Sequence, residues 1–197
     1  MGIGAHPGLG GSAGMGRQEA TISPDQTYAV VFEQVTAMRK LTSTEGLVLR
    51  HVKPHGTLYN LAACDARAAE AIAAAVAAID KRLILFALAG SELADAGRSA
   101  GLVVAREAFA DRTCQSDGTL TPRRRPCAFV HDPAEAAARA VTLVKERKLF
   151  SVEGREIAVH ADTLCVHGDS PGAVVMIQSI RNALASAGIE VRRFGQP

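Results

Sequence analysis

Stretches of branched aliphatic residues alternate along most of the chain with alanine-rich stretches whose apolar positions recur at helical spacing. The near-continuous apolar run at residues 83–88 is typical of a strand buried in a parallel sheet. Residues 47–52 predict a second strand by their β-branched and apolar content. Further strands are predicted at 102–105, 163–166 and 189–193. Because strands and helices alternate, we predict an α/β protein with a parallel sheet and right-handed crossovers, either an open sheet or a barrel.

Capping residues predict where the helices begin and end. Ser23 and Pro24 suit the N-cap and the first position of a helix that runs to about residue 40. Asp132 and Pro133 open another helix in the same way, and it ends near residue 148. The remaining helices are predicted at about 58–79 with a break near Asp65, at 91–100 and at 170–187, and a tight hairpin or turn is predicted at 152–157.

The composition is that of a globular protein, since 48% of the 197 residues are apolar and 21% are charged. This length is enough for one domain with a core, so we predict a single domain over residues 1–197. Aromatic residues make up 4% of the chain and tryptophan is absent. Alanine and branched aliphatic side chains must therefore fill the core.

Charge, cysteine spacing and hydropathy argue against several classes of protein. The net charge of +2 leaves no basic stripe of the kind that nucleic-acid-binding proteins use. The cluster Arg123-Arg124-Arg125, which lies between two prolines, is interpreted as a loop. The four cysteines lack disulfide-framework spacing, which indicates reduced thiols. We find neither a signal peptide nor an apolar run long enough to span a bilayer, and we predict a cytoplasmic protein without nucleic-acid or membrane partners.

Ionisable side chains follow four of the predicted strands. In a parallel α/β fold the carboxyl ends of the strands meet at one face, where binding and catalytic sites form. We therefore expect a functional site at that face. The four segments contribute His6, Lys53 with His55, Asp111 with Arg112, and His167 with Asp169.

The segment Lys53-Pro54-His55-Gly56 is the strongest candidate of the four. Pro54 favours an extended Lys53 and stiffens the turn, and Gly56 allows the backbone to turn tightly or to approach a ligand. A lysine and a histidine two residues apart can bind and protonate an oxyanion. The alternative is a surface turn with a solvated lysine. We favour function, because polar residues at the carboxyl end of a strand are typical of active sites in such folds.

The segment from His167 to Gly172 is the second candidate. His167 is suited to general acid–base catalysis, with Asp169 as its orienting partner or as a metal ligand. Gly168 lies in the same loop, and the helix that follows offers its first amide groups to an anion. The alternative for Asp169 and Ser170 is simple helix capping.

The other two segments leave more alternatives open. His6 could ligate a divalent metal together with carboxylates, or it could belong to a frayed terminus. Asp111 and Arg112 suit a bidentate contact with a carboxylate or phosphate, or they form a surface ion pair. The glycine-rich stretch at residues 8–16 lacks the Gly-Lys-Ser/Thr of a phosphate-binding loop.

Four motifs occur in an order that resembles a known family. They are Gly4-Ala5-His6-Pro7, Val52-Lys53-Pro54-His55-Gly56 with Leu58-Tyr59-Asn60, Phe109-Ala110-Asp111-Arg112, and the segment from Cys165 to Gly172. This order is similar to that of the LamB/YcsF family, the A subunit of bacterial 5-oxoprolinase, also called lactam utilisation protein. The resemblance implies an irregular (β/α) barrel related to glycoside hydrolases and deacetylases. It also implies the ATP-dependent opening of 5-oxo-L-proline to L-glutamate, together with the B and C subunits.

The resemblance, taken with the residues, implies roles for the candidate side chains. Lys53 and Arg112 would hold a phosphate or the substrate carboxylate, and His55 or His167 would activate water or protonate the ring nitrogen. ATP is then a co-substrate, and a divalent metal with His6 among its ligands is an additional hypothesis. Asp169 would orient a histidine or bind a metal, and Asp111, Gly56 and Gly168 would belong to the substrate- or phosphate-binding loops.

Three departures from the family pattern bear on activity. The segments Asp-x-Asn-Cys-Asp-x-Gly-Glu and Cys-Gly-Phe-His-Ala-Gly-Asp, which normally precede these motifs on two strand–helix units, do not occur in this sequence. The stretch Gly14-Met15-Gly16-Arg17-Gln18 stands for Gly-Phe-Gly-Arg-Arg, and Cys114 stands for a tyrosine. We therefore expect a barrel that lacks its first strand–helix units. One alternative to the active enzyme subunit is a catalytically impaired homologue that binds only its partners or a small lactam. A metal-dependent carbohydrate deacetylase, by analogy of fold, is another.

Overall fold

The computed structural model describes residues 2–10 and 21–195. The chain divides into two compact units, Met1–Ala105 and Arg106–Pro197, and each is described by itself. The prediction of a single domain stays a prediction. The glycine-rich stretch at 8–16 and the departure at 14–18 fall largely or wholly on residues 11–20, which lie outside the described residues.

The first unit alternates strands and helices, as the sequence predicts. Its strands β1, β2 and β3 are adjacent in that order and run parallel, with Ala5 paired to Val52 and Val52 paired to Leu85. Its elements are β1 (Ile3–Ala5), α1 (Pro24–Thr44), β2 (Leu49–Val52), α2 (Gly56–Cys64), α3 (Ala66–Ile79), β3 (Ile84–Leu88) and α4 (Glu92–Ser99), and β4 (Val103–Phe109) begins in this unit.

The helix caps of the first unit confirm two predicted boundaries, whereas α1 runs on to Thr44 and α2 begins at Gly56, beyond the predicted limits. The Ser23 hydroxyl accepts from the Gln26 amide, and the Gln26 side chain accepts from the Ser23 amide, so a capping box opens α1. The Asp65 carboxylate accepts from the Ala68 amide and separates α2 from α3. The predicted break near Asp65 is therefore confirmed.

The core of the first unit lies between its sheet and helices. Leu58, Ile72, Leu85 and Leu93 are each at most 1% exposed. Burying a side chain of this size contributes roughly 1.5–3 kcal/mol, so these four positions carry much of the unit's stability. Phe32, which the periodicity places on the apolar face of α1, is 36% exposed instead and stacks on a tyrosine one turn earlier, Tyr28.

The second unit carries the end of β4 and a parallel partner strand. Glu107 pairs with Thr163 and Phe109 with Cys165. The predicted tight hairpin is confirmed by the antiparallel pair β5 and β6. The elements after β4 are a 3-10 turn (Pro126–Ala128), α5 (Pro133–Glu146), β5 (Lys148–Phe150), β6 (Glu156–Ala158), β7 (Thr163–Cys165) and α6 (Ala173–Ser186).

The core of the second unit uses smaller side chains. Alanines of α5, among them Ala136 and Ala140, pack against Met176, Ile180 and Leu184 of α6. The α6 residues of this cluster keep 4–8% of their surface exposed. Alanine lets the two helices approach closely, but it contributes less buried apolar surface per position.

Three predicted features of the second unit are wrong. Residues 189–193 form no strand and are mostly exposed; Gly188, with a left-handed φ of 74°, follows the end of α6. Strand β4 runs on to Phe109, beyond the predicted end at residue 105. Helix α6 begins after Gly172 at Ala173, and the predicted start at residue 170 is too early.

The class of fold is confirmed for both units. Each contains parallel strand pairing, and helices separate the strands of the first unit and follow β4 and β7 in the second. No helix among the described residues is long and apolar enough to cross a membrane.

Candidate functional site

In the first unit, two backbone segments are joined side by side just beyond the ends of β1 and β2. The Lys53 amide donates to the Ala5 carbonyl at 3.0 Å, and the His55 amide donates to the Pro7 carbonyl at 2.8 Å. Pro7 and Pro54 are fully buried. The sequence places His55 at the carboxyl end of a strand, and the structure confirms this position.

Gly56 makes the turn from this segment into α2. Its φ is 56°, in the left-handed region that side chains with a Cβ rarely adopt. His55 occupies the N-cap position of α2 without a capping bond from its side chain. The imidazole of His55 is therefore not used to cap the helix.

His6 and His55 form a close pair where the two segments meet, and we call His6, Lys53 and His55 the His6–His55 cluster. His6 Nδ1 lies 2.6 Å from the Lys53 carbonyl oxygen, and His6 Nε2 lies 2.9 Å from His55 Nδ1. Because a carbonyl oxygen only accepts, His6 Nδ1 must carry a proton. In neutral His6 the Nε2 atom is then an acceptor, and His55 Nδ1–H is its donor. The two rings meet edge to face, with centroids 4.6 Å apart.

The side chain of Lys53 lies beside an aromatic ring. Its Nζ is 5.8 Å from the centroid of Tyr59, which is 5% exposed. A cation at this distance is attracted by the ring's electron-rich face. Lys53 is half-buried, and its charge therefore sits at the edge of an apolar surface.

In the second unit, a buried carboxylate holds a histidine. Asp111 Oδ2 accepts from the His167 amide at 2.8 Å and contacts His167 Nδ1 at 2.7 Å. The side chains of Asp111 and His167 are 4% and 19% exposed. The carboxylate fixes both the backbone and the ring of His167, which leaves its proton on Nδ1 and points Nε2 away from the pair.

Burial and hydrogen bonding act in opposite directions on Asp111. Burial raises the pKa of its carboxyl, but the bonds from the His167 side chain and backbone outweigh burial, and the pKa lies below its ordinary value. Asp111 is therefore a permanent anion at neutral pH. A buried carboxylate beside Nδ1 stabilises the imidazolium that forms when Nε2 takes a proton.

Two further features shape the surroundings of this pair. The ring of Phe109 stacks on His167, with centroids 5.6 Å apart and 22° between planes. Asp111 Oδ1 is buried and has no hydrogen-bond partner among the described residues. An unmet acceptor of this kind costs free energy, and a ligand N–H or a water molecule bound there would remove that cost.

Arg112 has different contacts from those that the sequence suggests. Its Nε donates to the Ala128 carbonyl at 2.9 Å and its Nη2 to the Thr121 carbonyl at 2.6 Å. The guanidinium also lies 4.9 Å from the centroid of Phe129, and the residue is 3% exposed. Arg112 therefore holds the 121–129 segment in place. Its predicted contact with a phosphate or carboxylate remains untested.

Asp169 and Gly168 lie in an exposed turn between β7 and α6. Asp111 is the bonding partner of His167 Nδ1, and the predicted role of Asp169 as an orienting partner or metal ligand stays a prediction. A Cβ added at Gly168 would meet open space, so sterics do not require glycine there. The predicted roles of both residues in ligand binding remain predictions.

Gln34 contacts the loop that carries His6, and the sequence alone did not predict this role. The Gly8 amide donates to Gln34 Oε1 at 3.0 Å, and Gln34 Nε2 donates to the Gly8 carbonyl at 2.8 Å. Gln34 follows the buried Val31 by three positions on α1. A polar residue next to the buried stripe of a helix was the available signal.

Metal binding by His6 remains a prediction. Among the described residues, no group of three or more His, Cys, Asp or Glu side chains lies close enough to hold a metal ion. His6 and His55 would supply two ligands, and their mutual hydrogen bond would have to be broken. Among the described residues, these two side chains alone are fewer than the three or four ligands of a typical metal centre.

Parallel strands are followed by loops that carry acid–base side chains, which is the arrangement of active sites in α/β enzymes. The sequence matches the LamB/YcsF family over residues 1–197, and the chain belongs to this family. The crystal structure of a lactam utilization protein from Thermus thermophilus has the same fold, with a TM-score of 0.87 and 45% identity over 98% of this chain and 77% of that one.

Curated relatives carry a more specific name. The A subunit of 5-oxoprolinase from Bacillus subtilis (strain 168) is 48% identical over 194 residues, which cover 98% of this chain and 76% of the relative. The A subunit of 5-oxoprolinase from Geobacillus kaustophilus (strain HTA426) is 47% identical over 190 residues, covering 96% and 74%. The predicted family membership is confirmed.

Proposed function

We propose that this chain is the A subunit of a 5-oxoprolinase and acts in the cytoplasm together with the B and C subunits. The enzyme uses ATP to open the lactam ring of 5-oxo-L-proline and gives L-glutamate. The observation that carries the proposal is the Asp111–His167 pair, with contacts of 2.8 and 2.7 Å to one carboxylate oxygen. The names of the relatives support the substrate class and the division into subunits.

The reaction needs activation of a poor electrophile. A lactam carbonyl resists attack by water, and transfer of the γ-phosphoryl group of ATP to its oxygen would make the ring carbon more electrophilic. Water then adds to that carbon and the carbon–nitrogen bond breaks. The ring nitrogen takes a proton, and the carbon is left as an acyl phosphate. A second water molecule hydrolyses this acyl phosphate and releases inorganic phosphate. The products are glutamate, ADP and phosphate.

His167 is suited to the water-activating step. Its Nδ1 proton is held by Asp111, so Nε2 is the nitrogen that can accept a proton from water. The negative charge of Asp111 favours the resulting imidazolium. General acid–base catalysis of this kind contributes roughly 10²- to 10⁴-fold in rate.

The cluster in the first unit is suited to binding and proton donation. Lys53 can bind an anionic oxygen of a phosphate or the substrate carboxylate as a point charge. His55 can accept a proton at Nε2 and then pass it on, because its Nδ1–H is directed at His6. A divalent metal ion that accompanies ATP would be coordinated by oxygens of the nucleotide phosphates.

The test is reconstitution with the B and C subunits, followed by measurement of glutamate and ADP release. We expect His167→Ala to lower glutamate release about 10²- to 10⁴-fold, while His160→Ala, an exposed histidine of the same unit, retains wild-type rates. Wild-type rates in His167→Ala would overturn the role of His167. Binding of 5-oxoproline without turnover by the unaltered chain would support the alternative of a catalytically impaired homologue.

A further inference from the structure

We propose that Gln34 and His6 are positioning residues that fix the ring of His55, so that His55 presents Nε2 to the substrate. The proposal deepens the function proposed above and rests on it. It assigns His6 a hydrogen-bonding role in place of metal ligation. It also gives a function to Gln34, which lies far from the family motifs in the sequence.

Gln34 holds the loop that carries His6 through two hydrogen bonds. Gln34 donates to the carbonyl of Gly8 and accepts from its amide, with distances of 2.8 and 3.0 Å. A primary amide matched to both groups of one residue fixes the position and the orientation of that peptide. The loop that carries His6 is thereby attached to α1.

The second step is the fit between this loop and His55. A Cβ added at Gly8 would lie 3.2 Å from the Cβ of His55. The clamped peptide therefore packs directly on the base of the His55 side chain. Any shift of Gly8 toward His55 would push the side chain, and any shift away would leave it unsupported.

The third step is the chain of hydrogen bonds through His6. The Lys53 carbonyl fixes the proton of His6 on Nδ1 at 2.6 Å. His6 Nε2 then accepts from His55 Nδ1–H at 2.9 Å. The orientation of the His55 ring and the nitrogen that bears its proton are set by His6, which is in turn set by a backbone carbonyl.

A positioning role makes a specific prediction for substitutions at His6. The amide of glutamine can place its oxygen near the position of histidine Nε2, so His6→Gln keeps an acceptor for His55. His6→Ala removes it. We expect His6→Ala and Gln34→Ala to lower kcat about 10- to 100-fold with little change in KM, as for a small misplacement of a catalytic group. His6→Gln should recover most of the lost kcat.

The experiment measures kcat and KM in the reconstituted complex and, independently of activity, the tautomers of His6 and His55 by nitrogen-15 NMR of the isolated chain. Gln178→Ala, an exposed glutamine of the other unit, is the matched control and should match the wild type. Protonated Nδ1 on both rings, with loss of the His55 signal pattern in Gln34→Ala, supports the proposal.

Two results would overturn the inference. The first is the outcome for a metal ligand. In that case His6→Gln and His6→Ala lose the same activity, and the wild type binds zinc, manganese or another metal stoichiometrically. The other is a His6 ring protonated on Nε2 rather than Nδ1. Absence of glutamate release by the wild-type complex would instead refute the proposed function, and the NMR result would still decide the tautomers.

Discussion

The two units each hold a histidine beyond the end of a strand, but they hold it by different chemistry. In the second unit a buried carboxylate, Asp111, fixes His167. In the first unit an imidazole, His6, fixes His55, and a backbone carbonyl fixes His6. A carboxylate stabilises a protonated partner, whereas a neutral acceptor orients the ring and adds no compensating charge.

This difference separates the functions to which the two histidines are suited. The Nδ1 proton of His167 is held by a carboxylate, which leaves Nε2 to accept a proton. His55 is oriented by the ring of His6 instead. Two clusters with similar residues in the sequence therefore have different electrostatic surroundings in the structure.

The largest expected effect tests which carboxylate orients His167. Asp111→Asn replaces the anion with an amide and should lower glutamate release about 10²- to 10⁴-fold, because the imidazolium loses its stabilisation and the tautomer is no longer fixed. Asp169→Asn is the matched control and should cost much less. Rates in the reconstituted complex, compared with the folded fraction by circular dichroism, measure the effect. A larger loss in Asp169→Asn would reverse the assignment.

The next effect compares the two cores. Leu85→Ala, at a fully buried position of the first unit, should lower the free energy of unfolding by about 2–5 kcal/mol, because it leaves a cavity among large side chains. Ile180→Ala, 5% exposed in the second unit, should cost toward the lower end of that range. Urea unfolding gives the totals, and hydrogen exchange shows which unit opens. Equal costs at both positions would contradict the difference between the cores.

The elements were predictable where local signals agree with the packing. Ser23, Pro24 and Asp65 are capping residues whose chemistry sets a helix boundary by itself, and the structure confirms their boundaries. The segment 189–193 alternates Ile189 and Val191 with charged residues and resembles a strand, but a strand also needs a partner. Its residues are mostly exposed, and none of them is assigned to a strand.

The members of the site were predictable, but their pairing was not. Position after a strand selects His55, Asp111 and His167 from the sequence. Asp169 is closer to His167 in sequence than Asp111, yet Asp111 reaches the ring, because β4 and β7 are paired in register at Phe109 and Cys165. Gln34 depends on a contact 26 residues away along the chain, which no local pattern contains.

A smaller effect on stability tests whether Arg112 supports the fold or binds a ligand. Arg112→Met should lower the free energy of unfolding by about 1–3 kcal/mol, because the carbonyls of Thr121 and Ala128 lose their donors. Arg124→Met, at an exposed position, should change stability by less than about 0.5 kcal/mol. Chemical denaturation measures both. Unchanged stability in Arg112→Met with weaker substrate or ATP binding would restore the predicted phosphate contact.

The smallest effect is a pH dependence that the second unit should show through its carboxylate. The pKa of Asp111 is lower in the folded protein than its ordinary value of 3.8, so the unfolded chain binds a proton at a higher pH than the folded one. The stabilisation from this pair is therefore complete above about pH 4 and is lost as the pH falls through the folded value. The stability difference between the wild type and Asp111→Asn should shrink over that acid range.

Urea unfolding of both proteins from about pH 7 to about pH 2.5 measures this loss. Asp169→Asn is again the control, and its stability difference from the wild type should vary less with pH. A stability difference between the wild type and Asp111→Asn that stays the same from about pH 7 to about pH 2.5 would contradict the lowered pKa of Asp111.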